Sequence, residues 1–203
     1  MKKERYERPV IIKHQSGLAN KFGRSRTTHI MSEIDGKSIK ELVEKFGKPL
    51  FVFSEKNIRN NFKRAYRAFT MRYPKVQFAW SYKTNYLDAI CQIFHEEGSW
   101  AEVVSEFEYE MAIRNNIPGN KIIYNGPYKP YDALKRAALD GAKIHIDHYD
   151  ELYELEKIAE EIKGEICVAI RLNMDTGIYP SWDRFGFNYD NGEALDAARR
   201  IHV

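Results

Sequence analysis

Lys83 closes the strand-like part of FAWSYKTNYLDAI (78–90), where an aromatic run gives way to Thr-Asn and then to a helix-like pattern. A lysine suits a strand interior poorly, so its amine either rises into solvent on its long stem or is delivered to a site at the sheet's rim. Side-chain alternation places Ala79 and Ser81 on the side of Lys83, and Phe78, Trp80 and Tyr82 on the other. Other strand-like runs repeat this segregation. Glu102 is a lone acid in WAEVVS, Lys143, His145 and Asp147 share one parity in AKIHID, and Arg171 shares a parity with Ala169 and Asn173 in VAIRLN. An inward lysine beside other ionisable groups has its ammonium form disfavoured, and a partly neutral amine is a nucleophile toward aldehydes. That is the requirement for a Schiff-base lysine, whether the carbonyl belongs to a substrate or to a cofactor. The residues alone leave the solvent reading and the site reading of Lys83 both open. Glu102 reads equally as an inward acid or as a rim partner for Lys or Arg. His145 reads as a satisfied core histidine, and Arg171 as a group that binds an anion or a carboxylate.

The elements that must carry these residues alternate along the chain. Strand-like runs at 76–83, 100–105, 121–126, 142–147 and 165–173 are separated by helix-like segments closed by Gly or Asn, with Ser105 and Asp147 placed as helix caps. Upstream, DGKSIKELVEKFG predicts a short amphipathic helix capped by Asp35 and stopped by Gly47, and LFVF (50–53) predicts a buried strand. Residues 1–33 show no sustained period and read as an extended arm, leaving 34–203 as one domain. Serial βα units with nearly apolar strands imply an α/β fold with a parallel sheet, either doubly wound or closed as a (β/α)8 barrel. No Gly-x-Gly-x-x-Gly follows the first strand, and small polar residues on one side of 76–83 with large aromatics on the other favour the barrel.

Composition narrows the function classes. With 43% apolar and 13% aromatic residues the chain can fill a core, which excludes disordered and fibrous classes. A net charge of +3 from 32 basic and 29 acidic residues is no nucleic-acid footprint. Cys91 and Cys167 lack the close spacing of a metal site or a disulfide framework and read as reduced and packed. No apolar run reaches membrane length and the N-terminus lacks a secretory core, so the default expectation is a cytoplasmic protein without membrane or nucleic-acid partners and without a metal.

The ordered set FAWSYKTN, WAEVVSEFEYEMA, KIIYNGPYKP, IHIDHYDEL, IRLN and RFGF resembles the diaminopimelate, ornithine and arginine decarboxylases, whose alanine-racemase-like barrel is fold type III of the pyridoxal-phosphate enzymes. The resemblance covers about 34 to 187 and implies the N-terminal portion of a TIM-like (β/α)8 barrel, incomplete in this chain. Trp80, Ser81, Lys83 and Asn85 fit the family's pattern at the end of the first barrel strand. The resemblance makes Lys83 the lysine that holds pyridoxal 5′-phosphate as an internal aldimine. It makes Glu102 and Glu108 acids that tune that lysine, sets Ser105 between them in the cofactor motif, and puts Arg171 in the cofactor pocket. It implies a decarboxylase of a small amino acid, homodimeric when full length. The Gly/Pro-rich approach to RFGF, TGIYPSW, is closer to the diaminopimelate enzymes than to the ornithine ones. Five barrel strands are legible, and the family's later cofactor-binding stretches are not. The expectation is therefore a fragment without decarboxylase activity of its own, with a catalytically silent or regulatory binding protein, or a racemase of the same fold, as alternatives.

Overall fold

The computed structural model describes residues 31–177 and 184–201. It divides the chain into two units, 1–52 and 53–203. Residues 1–30 of the expected arm and the segment 178–183 of the TGIYPSW approach lie outside the described residues.

In the first unit, β1 (Glu33–Ile34) and β2 (Lys37–Ser38) pair antiparallel about Asp35-Gly36, and α1 runs over Ile39–Phe46. Both turn residues have positive φ, 49° and 76°, the backbone of a tight Asp-Gly hairpin turn. The turn therefore takes Asp35, and the expected Asp cap is instead Ser38, which makes no side-chain cap bond. Gly47 ends the helix as predicted, at φ 80°. The expected strand at 50–53 does not form: Phe51 is exposed, while Leu50 and Val52 turn toward Ile39, Leu42 and Val43.

The second unit opens with α2 (Glu55–Thr70), an element absent from the sequence reading although Ile58, Phe62, Tyr66 and Phe69 mark a helical stripe. Ser54 caps it by accepting the Asn57 N–H at 3.1 Å. Five strands follow, β3 (Ala79–Ser81), β4 (Trp100–Val103), β5 (Ile122–Tyr124), β6 (Lys143–Ile146) and β7 (Val168–Ile170). Between and after them lie α3 (Asp88–Glu96), α4 (Glu106–Arg114), α5 (Tyr131–Leu139), α6 (Tyr149–Ile162) and, at the end, α7 (Glu193–Ile201). All five strands are parallel, and their spatial order is their chain order, β3-β4-β5-β6-β7.

That order decides the winding. A doubly wound sheet reverses direction at a switch point, whereas here every right-handed crossover advances one place the same way and puts its helix on the same face. Ala101, Val103, Ile122, Tyr124, Ile144 and Ile146 are accordingly buried against the helices, in one cluster with Tyr109, Leu134 and Ile158. Trp100, Glu102, Ile123, Lys143 and His145, of the other parity, are only half-buried and form the uncovered concave side. The sheet is an arc of a singly wound (β/α) barrel.

A separate parallel pair follows the five-stranded sheet. Beyond Arg171 the chain continues as β8 (Leu172–Asn173), which pairs in parallel with β9 (Phe187–Asn188). The glycine of RFGF makes this approach possible: a Cβ on Gly186 would stand 2.7 Å from the Arg171 carbonyl oxygen, and its φ is +80°. Cys91 is buried as expected, but Cys167, which shares the parity of Ala169 on the uncovered side, is exposed; both are free thiols. Among the described residues no helix is long and apolar enough to cross a membrane.

Candidate active site

The carboxyl ends of parallel barrel strands gather residues from separate βα units into one rim, and the polar residues collect there. Ser81 and Glu102 stand opposite each other in register on β3 and β4, and the Ser81 hydroxyl donates to one Glu102 carboxylate oxygen. Asn125, just past β5, donates its side-chain N–H to the other oxygen at 3.1 Å. Glu102 is thereby held as a double acceptor across three adjacent strands. Its charge reaches His145 on β6, whose imidazolium form is disfavoured first by burial, with Glu102 opposing and Lys129 adding to the effect.

Lys83 sits two residues beyond β3, in a turn and not within the strand, and it is exposed. Its charge and that of Glu102 converge on the buried carboxyl of Glu108, which burial pushes above the ordinary carboxylate range; the Val104 N–H bond and Lys83 pull it down, and Glu102 pushes it up. Glu108 has a structural task as well. Its Oε2 accepts the Val104 N–H at 2.8 Å, while Ser105 Oγ accepts the Glu108 N–H at 3.2 Å, a reciprocal cap at the start of α4. Ser105 is thus the helix cap predicted, and its hydroxyl is engaged there.

The same device recurs one unit pair later, where the predicted Asp147 cap is displaced by one residue. His148 Nδ1 accepts the Glu151 N–H at 3.4 Å, and Glu151 Oε2 accepts the Asp147 N–H at 2.8 Å. Asp147 is left with its carboxylate for Arg171, whose Nη1 donates to Asp147 Oδ1 at 3.2 Å. The guanidinium lies 4.6 Å from the centre of the Phe185 ring, and the Arg171 side chain stays 40% exposed. Beneath this corner Lys129 and Glu151 form an ion pair with 0% and 3% exposure, and Lys129 also donates to the Gly126 carbonyl at 2.8 Å. Gly126 itself admits no side chain, since a Cβ would lie 2.5 Å from the Val104 carbonyl oxygen.

Lys83, Glu102 and Glu108 therefore form one electrostatic group at the β3–β4 end. Ser105 serves it through Glu108, and Arg171 stands apart at the β7 end with Asp147. Sequence reasoning passed over Asn125, Lys129, Glu151 and Phe185. Asn125 continues the parity of Ile123 and was open to the alternation argument; the buried Lys129–Glu151 pair joins residues 22 apart and has no local signature. Among the described residues no group of His, Cys, Asp and Glu could hold a metal ion.

An amine and a guanidinium on one rim, with a fixed carboxylate between them, suit a ligand that offers an aldehyde and an anionic group. Comparison with known proteins points the same way. Residues 57–203 match the family described as "Pyridoxal-dependent decarboxylase, pyridoxal binding domain". The diaminopimelate decarboxylase of Methanothermobacter thermautotrophicus is 35% identical over 128 residues, 63% of this chain and 30% of that protein. That of Methanocaldococcus jannaschii is 31% identical over 181 residues, 82% of this chain and 41% of the relative. The crystal structure of the M. jannaschii enzyme in complex with L-lysine superposes with a TM-score of 0.76 at 29% identity, over 84% of this chain and 42% of that one. The chain thus spans between 30% and 42% of the length of these proteins. It belongs to the pyridoxal-dependent decarboxylases, as the N-terminal part of their pyridoxal-binding barrel domain.

Proposed function

We propose that the chain is the lysine-bearing part of a pyridoxal-phosphate-dependent decarboxylase of the diaminopimelate kind, with Lys83 as the residue that carries the cofactor. The observation behind this reading is the placement of Lys83. It is the exposed amine just past the carboxyl end of the first strand of the barrel arc, and it acts on the Glu108 carboxyl together with Glu102, a carboxylate on the adjacent strand held by donors from both of its neighbours. The residues present fit the cofactor by donor chemistry: Lys83 for the aldehyde, and the half-exposed Arg171, steadied by Asp147 and Phe185, for anionic oxygens.

When bound, pyridoxal phosphate supplies a ring that accepts the electron pair released as the α-carboxylate leaves as CO2. The protein's part is orientation and proton control. Glu102, with both oxygens accepting, holds a fixed negative charge on the concave side. Glu108, its carboxyl raised by burial, can retain a proton at pH values where a free carboxyl is ionised, and it lies within the field of Lys83. His145 is favoured as neutral imidazole between the two ends of the rim. The substrate is read as a diamino dicarboxylate from the relatives' activity. L-lysine, bound in the M. jannaschii structure, is what diaminopimelate becomes on losing one CO2. A small amino acid and, in the whole protein, a second copy of the chain are the partners this reading carries.

The test is chemical. Incubation with pyridoxal phosphate, borohydride reduction and peptide mapping should place the dominant adduct on Lys83, and Lys83→Ala should abolish it. An adduct distributed evenly over the surface lysines, or one that survives Lys83→Ala, would defeat the assignment.

A further inference from the structure

The turn that carries Lys83 is tied down from the side of the sheet opposite the site. Trp80 projects from β3 toward the helices, where its ring stacks on Phe94 of α3 with centroids 3.7 Å apart and planes 9° from parallel. Its indole N–H does not bond within the strand; it reaches forward to the Asn85 carbonyl at 3.0 Å. The Cys91 thiol approaches the same oxygen at 3.7 Å. Three further ties hold the same segment: the Tyr82 N–H donates to the Glu102 carbonyl at 2.9 Å, the Thr84 N–H donates to the Ser81 carbonyl at 3.1 Å, and the Asn85 side chain accepts the Leu87 N–H at 3.1 Å.

A half-buried indole N–H gains from an acceptor, and a carbonyl anywhere nearby would satisfy it. Here the acceptor lies two residues beyond Lys83, in the segment between β3 and α3, where Asn85 itself belongs to neither a helix nor a strand. An amine that must meet an aldehyde carbon gains from a fixed backbone, because small misplacements of a reacting group cost large factors in rate.

We propose that Trp80 is a positioning residue for Lys83: its indole N–H on the Asn85 carbonyl, with the Phe94 stack behind it, is the latch that fixes the turn presenting the amine. The proposal rests on the reading of Lys83 as the cofactor lysine for its purpose, but not for its existence. Asn85 thereby has two tasks, its carbonyl in the latch and its side chain in the turn into α3. Phe94 acts through Trp80.

Two changes separate the latch from simple packing. Trp80→Phe keeps an aromatic ring against Phe94 and removes the donor; Phe94→Leu keeps the donor and removes the stack. Should Trp80→Phe fold poorly, benzothienylalanine at position 80 replaces the N–H by sulfur with the ring shape kept. In the 203-residue chain, loss of the donor should speed amide hydrogen exchange at Thr84 and Leu87 about fivefold, the factor that one net hydrogen bond sets. Exchange at the buried Val103 of β4 should not change. The share of borohydride-trapped pyridoxal phosphate found on Lys83, relative to the other lysines, should fall by a similar factor. Phe94→Leu should lower the melting temperature with a smaller effect on both readouts. Wild-type exchange at Thr84 and Leu87 in the variant lacking the N–H would overturn the latch. If the unaltered chain shows no preference for Lys83 in trapping, the cofactor reading fails, while the exchange measurement still decides the latch.

Discussion

Replacing Lys129 by Met should be among the most destabilising single changes in this chain, although Lys129 lies outside the group formed by Lys83, Glu102 and Glu108. Lys129 is fully buried and Glu151 is 3% exposed, so neither charge has water to fall back on. Removing the ammonium leaves the Glu151 carboxylate, among the described residues, with the Asp147 N–H at 2.8 Å, and takes the side-chain donor from the Gly126 carbonyl. An uncompensated buried charge of this kind costs about 3–5 kcal/mol. For a chain of this size 1 kcal/mol moves the melting temperature by about 2–4 °C, which gives a drop of roughly 6–20 °C. Thermal and urea unfolding followed by circular dichroism would measure it. The double variant Lys129→Met/Glu151→Gln removes both charges and keeps an amide oxygen for the Asp147 N–H. It should therefore be more stable than the single variant, a non-additivity that marks a direct pair. Because Glu151 also holds the backbone of Asp147, the partner of Arg171, the single change should loosen that end of the rim too. A single variant within about 1 kcal/mol of the parent would show that the pair is solvated or dispensable and would refute the reasoning.

Gly186→Ala should destabilise by about 1–3 kcal/mol, the usual cost of a strained backbone position, because its φ is +80° and the new Cβ would meet the Arg171 carbonyl at 2.7 Å; unfolding curves that overlay those of the parent would contradict this. His95 should make stability fall with acid. Its pKa is lowered from 6.5, chiefly by burial with the Ser99 carbonyl bond opposing, and its Nε2 is 2.9 Å from the Tyr82 hydroxyl. The unfolded chain therefore takes up the proton first, and stability is lost as pH drops below the unfolded value toward the folded one. Denaturation midpoints measured from pH 7.5 down to 5, both set about the ordinary histidine value, should converge for the parent and His95→Gln, and parallel curves would exclude His95 as the cause.

Much of this arrangement was legible along the chain because it is local. Strand identity follows from apolar runs bounded by Gly and Asn, and the segregation of Ala79, Ser81 and Glu102 from Trp80, Tyr82 and Val103 follows from the two-residue period of a strand. Ser105 as a cap follows from a side chain reaching a backbone N–H three residues on, within a single turn. The errors were local competitions. Asp35 was taken by a hairpin turn, and the cap at α6 fell to His148 in place of Asp147, where a shift of one residue changes which side chain meets the helix end. The run at 50–53 has a strand's composition but, among the described residues, pairs with no other strand.

The alternation of elements, the face on which each strand carries its polar residues, and the motif set that resembles the decarboxylases are all properties of short stretches of chain. That the strands lie in chain order without a switch point, and hence that one side of the sheet is left to the polar residues, comes from the assembled fold. It alone brought Asn125 onto Glu102, Glu151 onto Lys129, Asp147 and Phe185 onto Arg171, and the indole of Trp80 onto the turn of Lys83. Alternation places Asn125 on the side of Glu102, but none of these contacts can be paired from the chain alone, because they depend on strand register and on the path of the loops beyond the strands. Both are set by how the apolar faces pack against the helices, and not by any residue's neighbours in sequence.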